Sequence, residues 1–299
     1  MYLKLMVAAA SCLAAGVKIN FDRVSRGGGM VGAIVPPLPR PRFRRDDHET
    51  KNMRDKNVHS CWLKTHGKFI LFKKLNSFMD IEKCINQFLE GNGKNKGRNP
   101  DERYASFDFC YNYFYSFYRQ NKITELASEK NIQMSCLQLG FYLASWGMMR
   151  GSSFLLEKSV KNYETLIRTI SKMDPKLWEI DVDKYDDRKN IELLLDCKQK
   201  IIEALDKNNR PSDILITKIM LGVFANVPAF DTYVGKSSLK LHTFNKHSLT
   251  NIKKFYEENK SILDSFKIHT YDFLTSQETD VMYTKAKLID MCGVIDGQP

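Results

Sequence analysis

From about residue 71 to its end, the chain places apolar residues at helical spacing, interrupted by short polar breaks. In 71–89, Phe78, Ile81, Ile85, Phe88 and Leu89 recur on one side of a helix that stops at the loop from Gly91 to Gly97. Positions 104–120 are the most aromatic and satisfy two periods. Residues 107, 109, 111, 113, 115 and 117 alternate as in a strand, whereas 104, 107, 111, 114 and 118 form a helical stripe. The polar residues decide between them. Ala105, Asp108, Asn112, Ser116 and Arg119 complete an opposite helical face, and 17 residues without Gly or Pro is long for a strand. A helix buried on most sides is predicted.

A short linking helix over 123–130 leads to 137–158, where a continuous helix would align Gly140, Ala144, Gly147 and Gly151 on one face almost without side-chain bulk. That face is expected to receive another helix closely, and a further helix is expected over 159–173. The acidic stretch 178–187 reads as a solvated loop, since it lacks the fixed Gly and terminal Glu of a calcium loop. An amphipathic helix follows over 189–205. Pro211-Ser212-Asp213 is a cap signal for 214–225, which is apolar except for Thr217 and Lys218 and therefore central; Pro228 forbids its continuation. This central helix is the expected occupant of the small-residue face, which would bring Arg150 toward Asp231. Ser248 is expected to cap an amphipathic helix, and a last helix runs from 283 to 291. The pattern defines an all-α fold: a single multi-helix globular domain, residues 60–299, behind a disordered N-terminal leader.

Composition changes this picture mainly at the N-terminus. Residues 1–59 contain a Gly27–Gly29 run and Pro36-Pro37-Leu38-Pro39-Arg40-Pro41-Arg42, a composition that cannot bury enough apolar surface to fold alone. They read as a flexible basic leader, consistent with translation from an upstream start codon. The apolar run within residues 1–16 is too short to span a membrane. Of the formal net charge of +11, residues 1–60 supply +6, so the remainder holds 35 basic against 30 acidic side chains. Such a body is compatible with DNA or RNA as partner without requiring either. Seven dispersed cysteines with no C-x-x-C pair read as free thiols of a reducing, cytoplasmic compartment. His242 and His247 are five apart, off the spacing of a helical ligand pair, so neither a metal nor another cofactor is expected. The glycine-lysine loop at 91–97 lacks the ending of a phosphate-binding P-loop.

Candidate chemistry lies in three blocks: Leu143-Ala-Ser-Trp-Gly-Met-Met-Arg-Gly-Ser-Ser-Phe-Leu155, Thr217-Lys-Ile-Met-Leu-Gly-Val-Phe-Ala-Asn-Val-Pro-Ala-Phe-Asp231 and Lys287-Leu-Ile-Asp-Met291. Together they resemble a group of uncharacterised bacterial proteins of helical architecture, a resemblance that brings no activity with it. The second block is also distantly similar to helix-hairpin-helix DNA glycosylases of the 8-oxoguanine type, in the part where a buried helix with a Lys leads to a Pro-aromatic-Asp turn. That resemblance implies Lys218 as the amine that attacks the sugar and Asp231 as its assistant. The chain lacks the Leu-Pro-Gly-Val-Gly hairpin that grips DNA in those enzymes. Read from the residues alone, Lys218 is either a surface Lys whose stem lies along apolar neighbours or a buried amine that needs a partner. Arg150, Trp146, Asp108 and Asn112 are the candidate binding contacts. Ser152, Ser153 and Thr217 have no histidine at motif-like spacing, so a hydrolase triad is unsupported. Two classes remain: a nucleic-acid-associated, glycosylase-like protein, and a non-catalytic helical interaction or scaffold protein in which these charges brace the core.

Overall fold

Ten α-helices and one β-hairpin make up the regular structure among the described residues, which in this computed structural model are 79–93, 96–151, 153–205 and 211–299. The leader expected over 1–59, the start of the helix expected from 71, and Ser152 lie outside the described residues. Helix α1, Ile81–Glu90, starts where the Asp80 side chain accepts from Lys83 N. It is followed by α2, Ser106–Arg119, and α3, Ile132–Ser145. Next come α4, Glu164–Ile170, α5, Arg188–Leu205, and α6, Asp213–Phe224. The short α7, Thr232–Lys236, precedes α8, Lys246–Glu258, and α9, Lys260–Ser265. The hairpin of β1, His269–Tyr271, and β2, Glu278–Met282, is antiparallel and irregular in register, and α10, Lys285–Asp296, closes the series. Among the described residues no helix is long and apolar enough to cross a membrane.

Helices α2 and α6 form the centre. Every residue of α6 from Leu215 to Phe224 is buried, as its near-continuous apolar sequence requires. Ser212 caps it by accepting from Leu215 N, and it ends with Ala225 in the left-handed region at φ 52°. Helix α2 packs on α3, on α6 and on β1, and its aromatic face supplies Phe107, Tyr111 and Phe114 to the core. Helix α10 lies against α1 and α7.

The stretch 137–158 departs from its expected form. Helix α3 ends at Ser145, Gly147 and Gly151 adopt φ of 75° and 60°, and Phe154–Glu157 is a 3-10 turn. Two glycines in the left-handed region within five residues break the helix, so the four-residue stripe does not exist. Gly140 packs instead on Tyr163 and Val160, and Ala144 is exposed. The close approach between α3 and α6 is made in the opposite sense: the glycine is on α6, and the buried Tyr142 of α3 lies over it. A Cβ at Gly222 would sit 2.4 Å from Tyr142 Cε1. Gly222→Ala is therefore expected to destabilise the protein by about 1–3 kcal/mol through overpacking, read as a lower midpoint in urea at unchanged slope.

Other boundaries moved for local reasons. The expected helix over 159–173 is a 3-10 turn, Val160–Tyr163, followed by α4. Asn245, not Ser248, is the N-cap of α8; Ser248 completes a reciprocal capping box with it. Helix α10 runs through Gly293 to Asp296. The acidic stretch 178–187 is not a solvated loop. Trp178, Val182 and Tyr185 are buried, and Asp181 accepts from the Lys285 and Ala286 amides at the start of α10 at 2.7 and 2.9 Å.

Candidate functional site

Lys218 and Asp231 are brought together by the turn that follows α6. Lys218 Nζ lies 3.0 Å from Asp231 Oδ2, with side-chain exposures of 3% and 11%. The pairing expected between Arg150 and Asp231 is not formed; Arg150 is exposed on the loop after α3 and lies against Gly147. Asp231 Oδ1 is also committed, accepting from Tyr233 N and Val234 N at 2.9 and 3.0 Å as the N-cap of α7. One residue earlier on α6, Thr217 Oγ1 accepts from Phe230 N at 2.9 Å. The Thr-Lys pair thus fixes both ends of the Phe230-Asp231 dipeptide.

A second buried ion pair completes this brace. Lys287 Nζ, fully buried, lies 2.9 Å from Asp290 Oδ2, and Asp290 Oδ1 accepts from Ala229 N at 3.1 Å. The rest of the Lys287 ammonium faces rings, with Phe107, Phe88 and Trp146 centroids at 4.6, 4.8 and 5.4 Å. Lys218 Nζ is 4.9 Å from the same Trp146 ring, so one indole covers both lysines. Trp146 stacks on Tyr104, and its buried Nε1 has no hydrogen-bond partner among the described residues. Lys287 and Asp290 were in a noted sequence block but had been given no role. Their signal is two charges three apart inside an otherwise apolar helix.

Asp108 and Asn112 lie elsewhere, and both serve the hairpin. Asp108 Oδ2 accepts from Arg98 Nε and Nη2 at 3.0 and 2.8 Å and from Tyr271 N at 3.0 Å, while Tyr283 OH donates to Oδ1. Asn112 Nδ2 donates to Tyr271 O at 2.9 Å and its Oδ1 accepts from Thr270 Oγ1 at 2.7 Å. Arg98 also donates to His269 O. Side chains of α2 and of the segment before it thereby replace a third strand along the outer edge of β1. Burial opposes the Arg98 charge, but Tyr283 and Asp108 outweigh it and hold the guanidinium above its ordinary value.

Between α2 and the hairpin lies a groove of about 680 Å³. Phe109, Tyr113, Tyr115 and Phe273 supply rings, Gln120 and Gln138 supply amides, and Arg119, Asp272 and Asp280 supply charge. Arg119 Nη2 and Asp280 Oδ2 are 2.8 Å apart in an exposed pair. Phe273 is 72% exposed and meets Phe109 edge to face. Gln138 links this groove to the outward side of α3, where Met134, Leu137 and Phe141 are exposed one after another at helical spacing. The sequence singled out only Asn112 from the groove. The aromatic stretch of α2 was visible, but which of its rings face solvent depends on packing against a hairpin more than 150 residues away.

The described cysteines, Cys84, Cys110, Cys136, Cys197 and Cys292, are all free and buried. Burial pushes the Cys84 thiol up to about 11 and the Cys110 and Cys197 thiols well above their ordinary value. At pH 9 an ordinary thiol is largely thiolate. Native protein is therefore expected to label slowly at these five positions at that pH, and fully once unfolded, with peptide mass spectrometry reading each site. The same shifts make stability greatest below the unfolded thiol value and decreasing as pH rises through 9 toward 11. His242 and His247 are exposed, and no group of described residues could hold a metal ion.

Fold and geometry define an all-α protein with a doubly braced turn in its core and an aromatic groove on its surface. Comparison with protein-family models, with curated protein sequences and with solved structures gives no match.

Proposed function

We propose that the protein is a helical interaction protein whose binding surface is the groove between α2 and the hairpin, continued by the outward side of α3. The observation that carries this reading is the groove itself: about 680 Å³, walled by rings, beside three exposed apolar residues of one helix. Contiguous exposed apolar and aromatic surface of this kind marks interaction sites. The core charges support the same reading. Both oxygens of Asp231 and of Asp290 hold backbone amides or lysines, which is what bracing requires.

The test is a photo-reactive phenylalanine analogue at position 273, with Lys200 as an exposed control position. Protein adducts at 273 that are absent at 200 and are lost on Leu137→Glu or Phe141→Glu are the expected result. Equal adducts at both positions, or insensitivity to the α3 substitutions, would reject the groove as the binding surface.

One observation favours a second reading, a nucleic-acid-associated, glycosylase-like enzyme: Lys218 Nζ and Asp231 Oδ2 are 3.0 Å apart beneath Trp146. In that chemistry the Lys218 amine would bond to the sugar C1′ as the bond from C1′ to the base breaks, giving an imine that borohydride reduces. Trapped adducts on lesion-bearing DNA that vanish with Lys218→Ala would establish it; their absence from folded wild-type protein would remove it.

A further inference from the structure

We infer that the occupant of the groove is an arginine-bearing, proline-rich peptide segment in the polyproline II conformation. The inference rests on the interaction reading above and adds the partner's chemistry. Three kinds of occupant can be compared with the groove's walls. An added β-strand needs an open row of backbone donors and acceptors. Along β1 these are occupied: Tyr271 N by Asp108, Tyr271 O by Asn112, and His269 O by Arg98. On β2, Val281 N is held by its own neighbour Thr279 Oγ1, and Thr279 O accepts from His269 Nδ1. A nucleic-acid strand stacks on rings but requires a cationic track for its phosphates. Here the charged lining is two carboxylates against one guanidinium, and that guanidinium is already paired with Asp280.

A polyproline II segment meets both conditions. Its backbone makes no internal hydrogen bonds and remains solvated, so it asks for no open strand edge, and its proline rings pack on aromatic walls. Phe109, Tyr113, Tyr115 and Phe273 provide those walls. An arginine on such a segment finds Asp272 and Asp280. Both carboxyls are held below the usual range, Asp272 by the Thr275 amide and hydroxyl and Asp280 by Arg119, so both are ionised at neutral pH. The Arg119 pair is exposed on both sides and so weakly held, which leaves Asp280 able to exchange one guanidinium for another.

The test uses the full chain and four probes: the peptide Ac-Pro-Pro-Ala-Pro-Pro-Arg-amide, its counterpart ending in Glu, an amphipathic Leu/Lys helical peptide, and a thymidine oligonucleotide. Binding is followed by amide chemical shifts and by fluorescence titration. The Arg peptide should bind at least about tenfold tighter than the Glu peptide, weaken by about tenfold on Phe273→Ser, and weaken with salt. Phe273 is exposed at the hairpin tip, so its replacement leaves the core intact. Equal binding of the Arg and Glu peptides, preference for the helical peptide, or no peptide binding overturns this inference and leaves the interaction reading to the cross-linking result. Oligonucleotide binding that is lost on Phe273→Ser overturns both.

Discussion

Asp108→Ala should cost about 3–5 kcal/mol of stability, among the largest effects expected of any single substitution in this chain. The carboxylate is fully buried and answers four donors: two N–H groups of Arg98, the Tyr271 amide and the Tyr283 hydroxyl. Removing it leaves Arg98, with 3% side-chain exposure, as a buried cation with only ring faces and the His269 carbonyl for company. It also releases the Tyr271 amide that anchors β1. The loss should therefore be accompanied by detachment of the hairpin, seen as raised amide exchange at 269–282 before global unfolding. Asp108→Asn keeps one acceptor and the volume but not the charge, and should fall between wild type and Asp108→Ala. A urea midpoint for Asp108→Ala within about 1 kcal/mol of wild type would show that the hairpin is held by something other than this clamp.

That clamp also marks the limit of what the sequence discloses. Helical periodicity located α2, α5 and α6, because a buried face repeats every 3.6 residues and needs no distant information. It also paired Asp108 with Asn112 as neighbours on one helical turn, which they are. What it assigned to their polar side is a buried strand edge, and nothing between residues 108 and 271 announces that His269–Tyr271 will arrive there. The same holds for the break after Ser145. Gly147 and Gly151 fit a helix by spacing, and only their positive φ values show them ending one. Of the six candidate site residues, Lys218, Asp231 and Trp146 do converge, with Trp146 over the lysine. Arg150 faces solvent, and the partner that a buried Lys demanded turned out to be Asp231 alone. Lys287, the more deeply buried amine, was legible in principle as a charge in an apolar helix but had no sequence neighbour to suggest that Trp146 would cover it.

The two lysine pairs supply the second large expected effect and, with it, a way to tell brace from chemistry. Lys287→Met leaves Asp290 buried without its cation, and Asp290→Leu leaves Lys287 buried without its anion and Ala229 N without its acceptor. Each single change should cost about 3–5 kcal/mol. The double variant removes both charges together and should recover much of that loss, because desolvating an ion pair costs about as much as the pair returns. The recovery should stop short of complete, since the Ala229 amide still loses a buried partner, worth about 1–3 kcal/mol. A thermodynamic cycle built from the four proteins in urea measures the coupling directly, and singles that cost less than about 1 kcal/mol would contradict the brace. The second measurement is binding at the groove. If Lys287 and Asp290 only hold the turn between α6 and α7 in place, the folded double variant binds the arginine peptide like wild type. A double variant that is stable yet fails to bind would mean that the Trp146 cluster communicates with the groove through Phe107 and Tyr283, the rings that stand between Lys287 and Asp108.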